Sequence, residues 1–352
     1  MNEGMPTDNN LPAKDDKNHP AIHAINDAAL ASQRVAELIE RIKESTDKLA
    51  TDHPSRGDLK ILSRTLKELR YAFKVFAPYR RMRKVTVFGS ARTAADHPAY
   101  RQAVAFGQAI SGQGWFVITG ASSGIMEAAH VGSGRDHAMG LNILLPFEQV
   151  ANSVIAGDSK LVHMKYFFTR KLMFVKETDA ICLLPGGFGT LDEGLEVLTL
   201  LQTGKRDVMP MVLLDEPGGD YWAGFQEFVE KQLLAKEMIS QEDLSLYKLT
   251  DNADQAVAEI LQFYRVYHSL RYVRSNLVMR LQRRPGEALL ESINTNFADI
   301  LLEGRFQVGP ALAEEQDDPD LADLPRLIFQ FNRRNYGRLR QLIDSINSDP
   351  GL

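Results

Sequence analysis

Residues 180–193 read AICLLPGGFGTLDE, an apolar run that leads through a glycine-rich turn into a helical pattern. Ala180–Leu184 has the length and composition of a strand that is buried on both faces. The turn contains three glycines, and the helix is predicted to begin at about Thr190 and to end at about Gln202. This order is typical of proteins in which strands and helices alternate.

The same alternation continues on both sides of this stretch. Four further strands are predicted at Val85–Phe88, Trp115–Thr119, Leu141–Leu145 and Met211–Leu214, with helical segments between them. Short apolar strands that alternate with helices form parallel sheets covered on both faces. The predicted fold class is therefore α/β, a doubly wound Rossmann-like parallel sheet with N- and C-terminal helical extensions. Ligands of such sheets bind beyond the carboxyl ends of the strands.

Composition divides the chain into four predicted regions. Residues 1–24 are polar and are expected to form a disordered tail. Residues 25–83 are predicted to be a helical N-terminal extension, and residues 84–265 the Rossmann-like domain. Residues 266–352 are expected to be a helical, Arg-rich C-terminal extension, with the arginines of Tyr264–Arg284 on an amphipathic helix.

Composition also excludes several classes of protein. The 352 residues carry 41 Lys and Arg against 46 Asp and Glu, and this balance argues against a surface built for nucleic acid. The single cysteine, Cys182, excludes an internal disulfide framework and a zinc site with two thiolates, and it favours a cytoplasmic setting. We expect neither a signal peptide nor a membrane span, because apolar runs of the required length are absent from the sequence.

The glycine turn within residues 180–193 is a candidate phosphate site. Gly186, Gly187 and Gly189 let backbone N–H groups approach an anion, and the start of the following helix adds partial positive charge. Thr190 adds a hydroxyl donor. A structural interpretation is also open, because Thr190 and Glu193 have the spacing of a capping box. The pattern of a P-loop is not present in this turn.

A second glycine turn, residues 119–126, reads TGASSGIM and imitates the T-G-x-x-x-G-I-G turn of short-chain dehydrogenases. Gly120 and Gly124 match that pattern, but Met126 stands where its last glycine would be. The Y-x-x-x-K pair of those enzymes is represented by Tyr166 and Arg170. An arginine keeps its proton at any relevant pH, so an NAD(P)-dependent oxidoreductase is the weaker alternative.

Two adjacent cations, Arg170 and Lys171, stand upstream of the first glycine turn. Arg170 is able to grip a phosphate or an acidic substrate group through two hydrogen bonds, although a solvated helix face explains the pair equally simply. His130, His137 and His163 lack the i, i+4 spacing of a helical zinc pair. We expect these histidines to be surface or core residues, and we predict no metal and no redox cofactor.

Taken together, these motifs resemble the Lonely-guy (LOG) family, once loosely labelled lysine decarboxylases. The signature P-G-G-x-G-T-x-x-E is met in full by Pro185–Glu193, and the upstream R-K pair by Arg170-Lys171. Gly89-Ser90 is similar to the loop after the family's first strand, and Gly124–Glu127 is similar to the G-I-M-E turn of its longer members.

The resemblance implies a phosphoribohydrolase that cleaves the N-glycosidic bond of a nucleoside 5′-monophosphate, giving free base and ribose 5-phosphate. It implies AMP or a cytokinin riboside monophosphate as substrate, no cofactor, and a homo-oligomer (a dimer or a multiple of one). Matched residue by residue, the resemblance implies that Arg170 and Glu193 are the catalytic pair. It implies a phosphate loop formed by Gly186, Gly187, Gly189 and Thr190. It also implies a nucleotide pocket lined by Gly89, Ser90, Gly120, Gly124, Met126 and Lys171.

Other functions stay open at this point. The resemblance covers residues 84–235, and compact members of the family lack the regions 25–83 and 266–352. A non-catalytic nucleotide sensor or carrier on the same scaffold is the main alternative. Binding of nucleic acid by the Arg-rich C-terminal region is less favoured, because an amphipathic helix packed on the core explains the same arginines.

Overall fold

A computed structural model of the chain describes residues 20–144, 151–315 and 318–351. The described residues form two units. The smaller unit comprises those up to Leu59 together with those of Leu312–Ala322, and it contains helix α1, Pro20–Lys48. The larger unit comprises the remaining described residues and holds both sheets. The tail predicted for residues 1–24 lies mostly outside the described residues, although α1 already begins at Pro20.

The larger unit is built on a parallel sheet of seven strands. They are β1 Lys84–Phe88, β2 Phe116–Thr119, β3 Ala138–Ile143, β4 Leu161–Met164, β5 Ala180–Leu183, β6 Met211–Leu214 and β7 Lys248–Thr250. Their order in the sheet is β4-β3-β2-β1-β5-β6-β7, and every pairing is parallel. The predicted doubly wound α/β fold is confirmed. The edge strands β4 and β7 were not predicted, because His163 interrupts the apolar run of β4 and β7 has only three residues.

The strand order reverses at the centre of this sheet. Strands β1 to β4 follow one another toward one edge, whereas β5 to β7 follow one another toward the other. The carboxyl ends of β1 and β5 therefore flank the crevice at which such sheets bind ligands. Backbone hydrogen bonds join the two ends: Leu184 donates to Phe88 at 2.9 Å, and Ser90 donates to Pro185 at 3.1 Å.

Helices cover both faces of the parallel sheet. One face carries α3 Pro98–Ser111, α4 Ile125–His137 and α8 Ala253–Phe263, and the other carries α2 Arg56–Phe76, α5 Phe167–Glu177, α6 Phe188–Gln202 and α7 Tyr221–Phe228. The period of two along β1 directs Val85 and Val87 to the first face and Phe88 to the second. None of the described helices has both the length and the apolar character needed to cross a bilayer.

Short turns of other helical types complete the described chain. They are 3-10 helices at Ala77–Tyr79, Gln241–Leu246, Ala298–Ile300, Ala313–Glu315 and Pro319–Leu321, and a π-helical segment at Val229–Leu234.

The C-terminal region differs from the expectation for residues 266–352. It contains helices, α9 Glu287–Asn296 and α10 Tyr336–Ser348, and also four strands, β8 Tyr267–Val273, β9 Asn276–Leu281, β10 Leu301–Gly309 and β11 Arg326–Phe331. These strands form an antiparallel sheet in the order β10-β11-β9-β8. The amphipathic helix predicted for Tyr264–Arg284 is therefore wrong, whereas the boundaries of the four regions stay a prediction.

The residues of Tyr264–Arg284 fold as a hairpin because their aromatic and branched side chains suit a buried sheet. The two strands meet at a turn in which Arg274 has a φ of 54°. Strand β9 is buried along most of its length, and even Arg280 is only 5% exposed. Arg280 pairs in register with Arg326 of β11. The sequence predicted that these arginines lie on an amphipathic helix packed on the core or on a partner subunit. Burial of an arginine in a sheet is a less common arrangement, which the sequence pattern did not reveal.

Candidate active site

A cavity of about 840 Å³ opens beyond the carboxyl ends of the central strands. Its walls come from the residues that follow β1, β2 and β5 and from the end of β3, so the cavity lies across the point where the strand order reverses. Its volume is in the range of pockets that hold small molecules. The predicted location of the ligand site, beyond the strand ends, coincides with this cavity.

The first glycine turn forms the wall of the cavity beside β5. A Cβ on Gly186 would lie 2.1 Å from Thr190 Oγ1, so only glycine lets the threonine hydroxyl approach this closely. A Cβ on Gly187 or Gly189 would meet nothing within 4 Å. The Tyr221 hydroxyl donates to the carbonyl of Gly186 at 2.6 Å and fixes the turn from outside. The turn is thus packed against Thr190 and Tyr221 at Gly186, and it faces open space at Gly187 and Gly189.

Helix α6 begins earlier than the sequence suggested. Its N-cap is Gly187 and its first residue is Phe188, so Thr190 lies inside the first turn and its N–H donates to Gly187 at 3.0 Å. The capping-box interpretation of Thr190 and Glu193 is wrong, because a glycine and not the threonine occupies the N-cap. A glycine has no side chain to accept from the first amides of the helix, which leaves them available to an anion.

Glu193 lines the cavity from the second turn of α6. It is only 5% exposed, and burial raises its pKa to about 7, although the positive charges of Lys171 and Arg170 lower it in part. Lys171 Nζ lies 4.0 Å from Glu193 Oε2. A carboxyl group with a pKa near neutrality, at the wall of a cavity, is suited to acid–base work.

Arg170 enters the same cavity from α5. Its guanidinium carbon lies 5.0 Å from the ring centroid of Phe167 and 5.6 Å from that of Phe174. Burial lowers the pKa of Arg170, and the acidic groups of Glu193 and Asp192 raise it in part. Its Nε is buried and has no hydrogen-bond partner among the described residues. A buried donor of this kind favours an acceptor supplied by a ligand.

Most of the predicted nucleotide-pocket residues share this cavity. Gly89, Ser90, Gly120 and Met126 line it, together with the phosphate-loop residues and the pair Arg170 and Glu193. The structure does not bring Gly124 or Lys171 to its walls. Their assignment to the nucleotide pocket stays a prediction that this geometry does not support.

Gly124 and Lys171 have other contacts. Gly124 has a φ of 65°, and a Cβ there would lie 2.3 Å from the carbonyl oxygen of Ser90, so the glycine permits two backbones to pack together. Lys171 Nζ lies 2.7 Å from a carboxylate oxygen of Asp192 and 2.7 Å from one of Glu196. Lys171 therefore ties α5 to α6 at the outer surface.

Sequence reasoning missed several residues of the cavity. Arg92, Ser122, Asn142, Phe167 and Phe188 also line it. Two of them had a usable signal, since Arg92 and Ser122 lie shortly after the ends of predicted strands. Asn142 is 5% exposed at the end of β3 and Phe188 is 93% exposed at the start of α6, so the cavity has a polar group at its far end and an aromatic ring at its rim.

The histidines lie where they were expected, in the core or at the surface. His130 is fully buried, its ring lies 3.1 Å from Thr119 Oγ1 and 3.2 Å from Asn152 Nδ2, and burial lowers its pKa to about 4. His137 is half-buried and His163 is exposed. Within the described ranges, no three histidine, cysteine or acidic side chains form a group that could hold a metal ion.

Comparisons with known proteins support the resemblance to the LOG family. Residues 123–260 match the sequence model of a family described as possible lysine decarboxylase. The chain is 37% identical over 121 residues to the cytokinin riboside 5′-monophosphate phosphoribohydrolase LOG3 of Arabidopsis thaliana. The aligned residues make up 33% of this chain and 52% of that protein. It is 32% identical over 158 residues to a probable enzyme of the same name, LOGL5, of Oryza sativa subsp. japonica, spanning 43% of this chain and 61% of that protein.

The matches cover only part of each protein. The chain spans between about half and three-fifths of the length of these curated relatives. Among solved structures, a molybdenum cofactor carrier protein of Chlamydomonas reinhardtii is 20% identical, with a TM-score of 0.36, over 52% of this chain and 98% of that one. The family model and the two plant relatives confirm the resemblance to the LOG family for the central part of the sequence.

Proposed function

We propose that the protein hydrolyses the N-glycosidic bond of a nucleoside 5′-monophosphate and releases the free base and ribose 5-phosphate. One observation carries this proposal. The walls of one cavity hold the buried carboxyl group of Glu193, the glycine-capped start of α6, and the Nε of Arg170, which has no partner in the described part of the chain. The two plant relatives described above are named as phosphoribohydrolases of cytokinin riboside 5′-monophosphate, a nucleotide of this class, which supports the same assignment.

The substrate is anchored by its phosphate. In the proposed complex the 5′-phosphate accepts hydrogen bonds from the first amides of α6 and from the Thr190 hydroxyl, next to the open sides of Gly187 and Gly189. The base then extends along the strand ends toward Asn142. Three strand spacings separate β5 from β3, roughly 14 Å in total, which is enough for an extended nucleotide. This orientation leaves the ribose between the two ends, beside Glu193.

The chemistry needs a negative charge beside the sugar. A water oxygen forms a bond to C1′ while the C1′–N bond breaks; one proton of that water leaves with the base and the other stays on the new hydroxyl. Positive charge develops on the ribose in the transition state, as in glycoside hydrolysis. The Glu193 carboxylate stabilises that charge and orients the water, and Arg170 donates to a substrate oxygen. Anchoring the remote phosphate positions C1′ for attack.

The direct test is product analysis with purified full-length protein. We expect AMP to give adenine and ribose 5-phosphate, and adenosine to be a poor substrate because it leaves the phosphate site empty. Glu193→Gln keeps the shape of the side chain and should lower kcat by about 10²- to 10⁴-fold. Glu196→Gln is the matched control, one turn further along α6 and paired with Lys171, and should retain activity within about twofold.

Other outcomes of this assay would contradict or refine the proposed function. Equal turnover of adenosine and AMP would contradict the phosphate anchor. Binding of AMP without release of base would favour the nucleotide sensor instead. A panel of nucleoside monophosphates, including a cytokinin riboside monophosphate, identifies the preferred base.

We also propose that the protein is a homo-oligomer and acts in the cytoplasm. Phe168 and Leu172 are four residues apart on one face of α5 and are both about half exposed, which is unusual for neighbouring large apolar side chains of a monomer. Light scattering at the assay concentration tests this part, and a monomer would contradict it.

A further inference from the structure

We propose that Glu68, a residue of the N-terminal helical extension, is a positioning residue that sets the place of Arg170 in the cavity. This inference rests on the proposed function, because it concerns the arginine that the reaction uses. Glu68 lies outside residues 84–235, the part of the chain in which the resemblance to the LOG family was found.

The start of α5 lacks a cap from its own sequence. Its N-cap is Tyr166, which makes no capping hydrogen bond with its side chain. The first N–H groups of a helix need acceptors, and a negative charge there is favourable. A carboxylate from elsewhere in the chain can supply that negative charge.

Glu68 of α2 contacts the start of α5 through the residue before its N-cap and through the side chain of Thr169 in its first turn. Its Oε1 accepts from the N–H of Lys165 at 2.9 Å, and its Oε2 accepts from the Thr169 hydroxyl at 2.8 Å. Arg64 Nε donates to Oε1 at 2.7 Å. The Glu68 side chain is only 4% exposed. Burial tends to raise its pKa, but the hydrogen bonds from Arg64, Lys165 and Thr169 outweigh that effect and lower the pKa, so the carboxylate stays ionised beside the start of α5.

Helix α2 holds α5 at a second point as well. Lys176 Nζ lies 5.1 Å from the ring centroid of Phe73, near the other end of α5. Ala72 and Phe76 of α2 and Phe174 of α5 belong to the same buried cluster. The extension is therefore packed along α5, and Glu68 is its charged contact at the end nearest the cavity.

Arg170 directly follows Thr169, and its own side chain has few constraints. Its guanidinium contacts the rings of Phe167 and Phe174, which come from the same helix, and its Nε has no partner among the described residues. The backbone of the first turn of α5 thus decides where the guanidinium lies. A displacement of about 1 Å at a substrate-binding group is enough to lower turnover by up to about 100-fold.

A double-mutant cycle on full-length protein tests this inference with AMP as substrate. We expect Glu68→Gln to lower kcat/KM by at least about tenfold in the wild-type background and by less than about twofold in the Arg170→Lys background. The matched control is Glu177→Gln, a buried glutamate at the opposite end of α5, which should retain wild-type kcat/KM within about twofold. Thr169→Val removes one of the two contacts and should show a smaller loss with the same non-additivity.

The outcomes separate the inference from the proposed function. If the wild-type protein releases no base from AMP, the proposed function fails. If the wild-type protein is active and Glu68→Gln is equally active, or lowers kcat/KM by the same factor with Arg170 and with Lys at position 170, the positioning role is wrong. If Glu68→Gln does not fold, the cycle is decided with Thr169→Val, and additive losses there overturn the inference.

Discussion

The two glycine turns of the parallel sheet look alike in the sequence and differ in the structure. The turn before α6 has glycines whose missing side chains face empty space, at Gly187 and Gly189. In the turn before α4, a Cβ added to either glycine would lie too close to a neighbouring atom: to Met126 Sδ at Gly120 and to the Ser90 carbonyl oxygen at Gly124. Both turns precede helices whose N-caps are glycines, Gly187 and Gly124.

The difference separates two uses of glycine. In the open turn, the absence of a Cβ makes room for a ligand at the start of a helix. In the packed turn, it makes room for the loop that follows β1, so that the two loops together form the wall of the cavity. Ile125 N–H donates to Ser90 at 3.0 Å, and the Ser123 hydroxyl donates to Ala91 at 2.8 Å, which binds these loops together.

The largest effect is expected in the packed turn. Gly124→Ala should lower the free energy of unfolding by roughly 4 kcal/mol, because the new Cβ meets backbone atoms and the φ of 65° is strained for alanine. Urea denaturation measures this loss. Gly114→Ala is the control, since Gly114 has a φ of 80° but open space around it, and it should cost only about 1 kcal/mol. Equal losses would remove the distinction between the turns.

A smaller effect is expected from the acid that follows the open turn. The pKa of Glu193 is raised to about 7, so the charged form is disfavoured in the folded protein. Its contribution to stability is fully present below about pH 4.5 and is lost as the pH rises through about 7. Relative to wild type, Glu193→Gln should therefore gain up to about 3 kcal/mol on going from pH 5 to pH 8.

Paired urea titrations at the two pH values check this difference. Glu196→Gln, on the exposed side of the same helix, should show almost no such change. If Glu193→Gln changes the free energy of unfolding by the same amount at both pH values, burial does not raise the pKa of the Glu193 carboxyl group.

The smallest effect on stability is expected in the open turn itself. Gly187→Ala should change the free energy of unfolding by less than about 0.5 kcal/mol, because Gly187 has a φ of −87° that alanine adopts easily and no atom lies within 4 Å of the new Cβ. The methyl group would instead occupy space proposed for the phosphate, so KM for AMP should rise about tenfold, or 1.4 kcal/mol. Loss of stability with unchanged KM would contradict the open-turn assignment.

The sequence predicted those parts of the fold that depend on local pattern. The five apolar strands of the centre were recognised because buried parallel strands are almost wholly apolar. The edge strand β7 and the hairpin within Tyr264–Arg284 were missed, because short, polar or arginine-containing strands have no such signature. Their strand structure depends on pairing with distant partners, as in the register of Arg280 with Arg326.

The candidate site was predicted in the same uneven way. Arg170 and Glu193 reach one cavity as expected, because both belong to a motif with fixed spacing. Lys171 does not line the cavity, since its neighbour already points there and the next residue of a helix faces elsewhere. Glu68 was not predicted at all: it contacts residues about a hundred positions away, and only the tertiary structure brings it to α5.

The central claim is that a 5′-phosphate binds at the start of α6 and places C1′ beside Glu193. A crystal structure of the Glu193→Gln variant soaked with AMP tests it most directly. We expect the phosphate within hydrogen-bond distance of the Gly187–Thr190 turn and C1′ within roughly 4 Å of the side chain at position 193. A phosphate bound elsewhere in the cavity, or a ribose turned away from position 193, would contradict it.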